Sequence, residues 1–245
     1  MADALLLVHA FPLDASMWEP LAASLRERVP VVAPDMPGFG GTEGSGDVMT
    51  MADGAARCVE ALEAAGADRA VVCGLSMGGY VALELWRTAR DRVAGFVFAN
   101  TRATPDDEAG RERRRALAER LRSEGSEFLM KEPGPLLSDQ ADEEQWKRVR
   151  TIIAVQPAES IAAAALGMAE RQDSTKDLPG IDVPAMIVTS TGDTLIPPEQ
   201  TTPMADAIPG ATLEIIEGAG HLSSMESPGE FTLLLERHLT LCGLL

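Results

Sequence analysis

A serine between two glycines is the first residue in this sequence whose setting suggests covalent chemistry. Gly74-Leu75-Ser76-Met77-Gly78 follows directly on an apolar run at residues 70–73 and precedes a helical pattern. A serine on a tight strand-to-helix turn projects its hydroxyl above the sheet edge, and glycines two residues away on either side let the backbone pack closely. The start of the following helix also favours negative charge. The pattern predicts Ser76 as a nucleophile, and a glycine-rich turn that merely contains a serine is the alternative.

A serine hydroxyl needs a base to become a good nucleophile, and the chain has three histidines. His238 falls in a predicted C-terminal helix, where we expect a surface residue. His9 ends the first apolar run, where we expect it to hold the next loop by hydrogen bonds. His221 follows Gly218-Ala219-Gly220 in a loop after the last predicted strand. We therefore predict His221 as the general base, with a turn histidine as the alternative, and expect kcat/KM to fall on acidification.

A carboxylate should orient that histidine and stabilise its protonated form. Asp193 follows the apolar run at residues 185–189 and precedes Pro197. The order serine, aspartate, histidine along the chain is the order expected for a nucleophile on such a strand-to-helix turn. We predict Asp193 as the acid, although a Gly-Asp pair often marks only a turn.

Acyl transfer at a serine also requires two backbone N–H groups that face the developing oxyanion. The residue after the nucleophile, Met77, supplies one of them. The loop after the first apolar run reads His9-Ala10-Phe11-Pro12. We predict that Phe11 supplies the second N–H, with Ala10 as the weaker candidate.

Short apolar runs alternate with helical stretches over most of the chain. Unbroken apolar runs are typical of strands buried on both faces of a parallel sheet. Helical periodicity follows at residues 18–27, 48–65, 77–90 and 227–241. The runs lie at residues 4–8, 29–33, 70–73, 93–99, 185–189 and 212–216. The alternation predicts a doubly wound α/β fold with about six, mainly parallel, strands and helices on both faces.

One segment interrupts this alternation. Residues 102–176 show no convincing strand but two or three amphipathic helices, so we predict a helical lid inserted between core segments 1–101 and 177–245. Its arginines at 111, 113, 114, 115, 120 and 122 are interleaved with glutamates, which is typical of a solvated helix face. An arginine that reaches an anionic substrate stays open as the alternative. Met130, Trp146, Ile153 and Met168 are candidates either for the roof of an apolar pocket or for the core.

The composition and charge argue against several classes of partner and cellular location. Of 245 residues, 38 are acidic and 21 basic, and a formal charge of -17 disfavours nucleic acid or an anionic membrane surface as a partner. No apolar run approaches the roughly 20 residues that span a bilayer. A secretory signal begins with basic residues, whereas this sequence has the acidic Asp3 there. Three scattered cysteines are typical of a protein in a reducing compartment, so we expect a cytoplasmic protein. Because a serine would carry the covalent work, we expect no metal or cofactor. We also expect a small-molecule substrate and a monomer or homodimer.

Taken together, these motifs resemble the α/β-hydrolase family over essentially the whole chain. The stretch His9-Ala10-Phe11-Pro12-Leu13-Asp14 resembles the family's HG-F/L loop, residues 35–40 resemble its D-x-x-G-x-G turn, and Asp193 and His221 fall at its acid and base positions. Ala10 departs from the family's usual glycine, and by comparison with the family pattern we expect the leading antiparallel strands to be missing. The nearest members by motif are carboxylesterases, enol-lactonases of the 3-oxoadipate type and cofactor-free perhydrolases.

The resemblance implies a serine hydrolase that cleaves a small carboxylic ester or lactone through an acyl-enzyme. An enol-lactonase of the 3-oxoadipate type would bind an anion, and this predicts an inward lid arginine such as Arg102. A perhydrolase, a carbon–carbon bond hydrolase and a non-catalytic ligand-binding protein of the same fold stay open. Haloalkane dehalogenases and epoxide hydrolases use an aspartate nucleophile, so Ser76 argues against both.

Overall fold

A parallel β-sheet forms the centre of the computed structural model, which describes residues 2–245. The described residues form six strands in the order β2-β1-β3-β4-β5-β6, and every neighbouring pair is parallel. The strands are β1 (Ala2–Val8), β2 (Val31–Val32), β3 (Ala67–Leu75), β4 (Val93–Ala99), β5 (Ala185–Ser190) and β6 (Thr212–Ile216). The predicted α/β fold with about six parallel strands is confirmed. The second strand is shorter than the predicted run at 29–33, because only two residues pair at the sheet edge.

Nine α-helices accompany the sheet within the described residues. They are α1 (Glu19–Leu25), α2 (Met51–Ala64), α3 (Met77–Ala89), α4 (Glu108–Glu124), α5 (Glu143–Ala154), α6 (Ala158–Glu170), α7 (Pro198–Ala207), α8 (Ser223–Glu226) and α9 (Pro228–Leu241). Helix α7 is not predicted from the sequence; it contains Pro203 and begins at a proline. Proline at the first helical position is well tolerated, but a proline inside the run hides the helical signal.

Burial explains why the central strands read as unbroken apolar runs. Every residue of β5 is buried, and so is every residue of β4 except Ala94. Successive side chains of a strand point to opposite faces, so continuous burial means that both faces of the sheet are covered. Helices α2 and α3 pack on each other and against β1 and β3, while α1 packs against α9. A rigid frame of this kind fixes the loops at the carboxyl ends of the strands.

Helices α4, α5 and α6 lie in the chain between β4 and β5. Helix α4 packs against α6, and α6 lies so close to the segment before α2 that a Cβ on Gly167 would be 1.7 Å from the Met49 carbonyl oxygen. The Met49 N–H also donates to the carbonyl of Ala163 at 3.1 Å. These contacts hold the helical segment against the sheet-forming part of the chain.

Across residues 2–245 we find no single helix that is long and apolar enough to cross a membrane, although α5 and α6, bent by 97° relative to each other, pass a test of length and composition as a pair.

Candidate active site

Ser76 occupies a strained turn between β3 and α3. Its φ of 55° and ψ of -113° lie in a region that side-chain-bearing residues rarely adopt. The Ser76 N–H donates to the Ala99 carbonyl at 2.9 Å, and Thr101 Oγ1 donates to the Ser76 carbonyl at 2.8 Å. A Cβ on Gly74 would lie 2.3 Å from the carbonyl oxygen of Gly78, so the turn requires glycine there. Backbone strain of this kind persists only where surrounding contacts hold the residue in place. The hydrogen bonds and the close packing of Gly74 do so at Ser76.

His221 and Asp193 form a buried pair in the loops that follow β6 and β5. The His221 Nδ1 lies 2.8 Å from Asp193 Oδ2, and both side chains are fully buried. Asp193 Oδ1 accepts the N–H groups of Leu195 and Ile196, each at 2.9 Å. Because an ionised carboxylate only accepts hydrogen bonds, Nδ1 is the protonated ring nitrogen of a neutral His221. The other ring nitrogen, Nε2, then carries the lone pair that a base needs.

Asn100, directly after β4, joins the loops of this site. Its Nδ2 donates to Asp193 Oδ2 at 3.0 Å and to Ser190 Oγ at 2.7 Å, while its Oδ1 accepts from Ser223 Oγ at 2.6 Å. Its φ of 44° is positive, a conformation that asparagine adopts more readily than most residues. Asn100 is not among the site residues predicted from the sequence, although an asparagine at the end of a buried strand is a signal that can show it.

The fold therefore brings the three predicted residues to one edge of the sheet. Ser76 follows β3, Asp193 follows β5 and His221 follows β6, and β4, which ends at Asn100, lies between β3 and β5. Within residues 2–245, no hydrogen bond joins Ser76 Oγ to His221, and His221 Nε2 is buried without a hydrogen-bond partner. Catalytic hydrogen bonds are often unformed or long before substrate binds, so Nε2 stands as an available acceptor.

The predicted donors to an oxyanion lie in the loop after β1 and at the start of α3. No turn, loop or cap hydrogen bond within the described chain engages the N–H of Phe11 or of Met77. The Ala10 N–H, the weaker candidate, is occupied by Met17 Sδ at 3.2 Å. Of the two candidates in this loop, Phe11 is thus the one with a free N–H.

His9 holds that loop in the way the sequence predicts. Its Nε2 accepts the N–H of Met36 at 3.0 Å, and Nδ1 lies 3.1 Å from the Ala10 carbonyl. Burial lowers the pKa of His9, which keeps the ring neutral and able to accept at one nitrogen. The ring thus ties the loop after β1 to the segment after β2.

A cavity of about 470 Å³ opens beside Ser76. Its walls include Phe11, Ser76 and Tyr80, the α4 residues Arg113 and Arg114, and Met168 of α6. Of the four apolar candidates for its roof, only Met168 lines the cavity, and it also belongs to the buried core. Ile153 lies in the core, and Met130 and Trp146 pack against the core partly buried. Arg102 lines it as well, but its guanidinium is engaged by Asp106 and by Gln200.

Asp106 is the centre of a buried ionic cluster at the cavity wall. Arg102 and Arg114 both contact its carboxylate, and Arg171 Nη1 lies 3.0 Å from Oδ2. Burial raises the pKa of Asp106, but the Arg171 hydrogen bond and the Arg114 charge outweigh burial and hold that pKa well below its usual range. Three guanidinium groups on one carboxylate leave the cluster with a net positive charge.

The helical segment is also tied to the loop that carries His221. Glu226 accepts the Gly220 N–H at 2.6 Å and Ser138 Oγ at 2.7 Å. The Leu222 N–H donates to the Leu136 carbonyl at 2.9 Å. Residues on both sides of His221 are therefore anchored to the segment between α4 and α5.

His238 departs from the prediction of a surface residue. It is 3% exposed, because the last turn of α9 packs against the protein interior, and burial lowers its pKa to about 4.

Within the described chain we find no group of three or more histidine, cysteine, aspartate or glutamate side chains placed to hold a metal ion.

Comparison with known proteins supports the resemblance seen in the motifs. The alpha/beta hydrolase family matches residues 5–232. A thermophilic esterase from Thermogutta terrifontis, solved with malate bound, is 38% identical, with a TM-score of 0.93 over 99% of this chain and 92% of that one. The 3-oxoadipate enol-lactonase 1 of Acinetobacter baylyi is 27% identical over 94% of this chain and 86% of its own length.

A longer relative is the dihydrolipoyllysine-residue acetyltransferase component of the acetoin cleaving system from Cupriavidus necator. It is 27% identical over 97% of this chain, and the chain spans 64% of its length.

Proposed function

This chain belongs to the alpha/beta hydrolase family, and we propose that it is a serine hydrolase that cleaves a small carboxylic ester or lactone through an acyl-enzyme. The observation that carries the proposal is the strained Ser76 beside a cavity, at the sheet edge where the buried His221–Asp193 pair lies 2.8 Å apart. The esterase and enol-lactonase among its relatives support ester or lactone substrates.

In the proposed mechanism, Ser76 Oγ attacks the carbonyl carbon while His221 Nε2 takes the hydroxyl proton. Asp193 keeps His221 in the required tautomer and stabilises the imidazolium that forms. The N–H groups of Phe11 and Met77 donate to the oxyanion, each contributing about 3 kcal/mol to the barrier reduction. His221 then protonates the leaving alkoxide, and water, activated by the same histidine, releases the acid from Ser76.

We assign residues 1–101 and 177–245 to the catalytic core and residues 102–176 to a lid over the cavity. The contacts of Leu136 and Ser138 with the loop and helix around His221 support the placement of this lid beside the candidate site. The covalent chemistry is carried by a serine, so the proposal involves no metal or cofactor, and the partner is a small molecule. The three cysteines are free, which fits the cytoplasmic location that we propose.

The test is hydrolysis of p-nitrophenyl acetate and p-nitrophenyl butyrate by the wild type, by Ser76→Ala and by Ser123→Ala. We expect Ser76→Ala to lose at least about 10³-fold in kcat, because the acyl-enzyme cannot form. Ser123 is an exposed serine on α4 that bonds only to backbone carbonyls, so its variant should match the wild type. Unchanged turnover by a folded Ser76→Ala protein would refute the proposal.

A further inference from the structure

The cavity beside Ser76 is positively charged inside a strongly acidic protein. Four of its lining residues are arginines and two, Asp106 and Glu132, are carboxylates, whereas the whole chain carries a formal charge of -17. A cleft with apolar walls focuses the field of its charges and concentrates ligands of opposite sign. The charge of the cavity is therefore opposite in sign to the net charge of the protein. This local positive charge favours an anionic ligand.

One face of α4 delivers most of this charge. Gly110, Arg113, Arg114 and Leu117 line the cavity and follow the spacing i, i+3, i+4 and i+7, which places them on one side of a helix. Arg120 continues the same face one turn further. Helix α4 therefore has two charged faces, one exposed to solvent and one that faces the cavity.

The four arginines of the cavity differ in what already binds them. Arg102 and Arg114 share the Asp106 carboxylate, and Arg120 pairs with Glu124 and lies over the Phe128 ring at 3.7 Å. Arg113, in contrast, makes no ion pair and no side-chain hydrogen bond with any residue in the part of the chain that the structure describes. It is exposed, and its guanidinium is free to bind a ligand.

We propose that Arg113, beside the positively charged Asp106 cluster, binds a carboxylate carried by the substrate, so that the preferred substrates are esters or lactones bearing a free carboxylate. A guanidinium suits this role because its planar fork of N–H donors matches a carboxylate in a two-bond arrangement. This inference rests on the proposed function, since it assigns the cavity beside Ser76 to the acyl or alcohol part of an ester.

Two matched pairs of esters test the inference and distinguish the two parts of the substrate. Monomethyl glutarate and methyl pentanoate differ only in a carboxylate at the end of the acyl chain. The pair 4-acetoxybutanoate and butyl acetate differs in the same way on the alcohol side. For at least one pair, we expect the wild type to favour the anionic ester by about tenfold or more in kcat/KM, and this preference should weaken as added salt screens the charges.

The residue assignment is tested by Arg113→Gln, with Arg115→Gln as the matched control. Arg115 lies on the same helix outside the cavity lining and pairs with Glu108 and Glu112, so its loss removes the same charge from another face. We expect Arg113→Gln to reduce the preference for the anionic ester by about tenfold, through a higher KM for that ester. Arg115→Gln should keep the wild-type preference.

The outcomes separate this inference from the proposed function. Hydrolysis of neutral esters that depends on Ser76, without preference for either anionic ester, would leave the proposed function standing and overturn the carboxylate site. If the wild type hydrolyses none of the four esters, calorimetric titration with glutarate decides the inference directly. Binding by the wild type that is lost in Arg113→Gln and kept in Arg115→Gln would support the site, and equal or absent binding would overturn it.

Discussion

Asn100 is the residue at which the loops of the candidate site converge. Its amide binds the carboxylate of Asp193 on one side and Ser223, two residues after His221, on the other. A buried, fully used amide of this kind fixes the relative position of the groups that it joins. We interpret Asn100 as a positioning residue for the His221–Asp193 pair, since it is buried and does not line the cavity.

Asn100→Gly removes this amide without adding backbone strain, because glycine tolerates the positive φ at this position. We expect kcat to fall by about 10- to 100-fold as the pair loses its alignment, with KM within about twofold of the wild type. Ser223→Ala, which leaves the Asn100–Asp193 bond in place, should cost less. Equal kinetics for Asn100→Gly and the wild type would contradict a positioning role.

The strand–turn–helix element around Ser76 is specified by glycines for steric reasons. The backbone at Gly74 approaches the Gly78 carbonyl, and a Cβ on Gly78 would lie 2.2 Å from the Val8 carbonyl oxygen. Beta carbons do not fit at these distances, so the element cannot form with larger residues unless the backbone moves. The same close packing seats the start of α3 against the end of β1.

Gly74→Ala should therefore destabilise the protein by about 2 kcal/mol or more and reduce activity, because the turn must open to accept the methyl group. Gly229→Ala is the matched control. It lies in the first turn of α9 with open space around its Cβ position, and we expect no loss of stability. Urea denaturation of both variants measures the difference, and equal stability would show that the turn is not sterically constrained.

The elements show where sequence reasoning works and where it fails. The run at 93–99 coincides with β4, because a strand buried on both faces is apolar throughout. The apolar run at 29–33 is longer than β2, since apolar residues at a sheet edge need not all pair with the neighbouring strand. Ser76, Asp193 and His221 can be predicted because each follows a predicted strand. Asn100 follows the predicted strand at 93–99 and could have been found in the same way. Asp106 and Glu226 could not, because Arg171 and Ser138, which they bind, come from distant parts of the chain.

At the level of the whole molecule, stability should depend on pH through His238. Its pKa in the folded protein, about 4, lies below the ordinary value of 6.5 because burial disfavours the charged ring. As pH falls between these values, the unfolded chain binds a proton that the folded chain does not. The free energy of unfolding therefore decreases on acidification. Asp106, whose pKa is also lowered by folding, loses its contribution at still lower pH.

His238→Leu should flatten this dependence. We expect the decrease in unfolding free energy between pH 7 and pH 5 to be smaller in the variant by about 2 kcal/mol. Chemical denaturation at a series of pH values measures this slope separately from any change in stability at pH 7. Parallel curves for the variant and the wild type would contradict a buried, neutral His238.

Identification of the nucleophilic residue is the most decisive test of the proposed serine hydrolase mechanism. Phenylmethylsulfonyl fluoride reacts with activated serines, and peptide mapping by mass spectrometry locates the adduct. We expect a single sulfonyl adduct on Ser76, present in Ser123→Ala and absent from Ser76→Ala, with much slower labelling in His221→Asn. An adduct on another serine, or labelling of Ser76 that does not depend on His221, would contradict it.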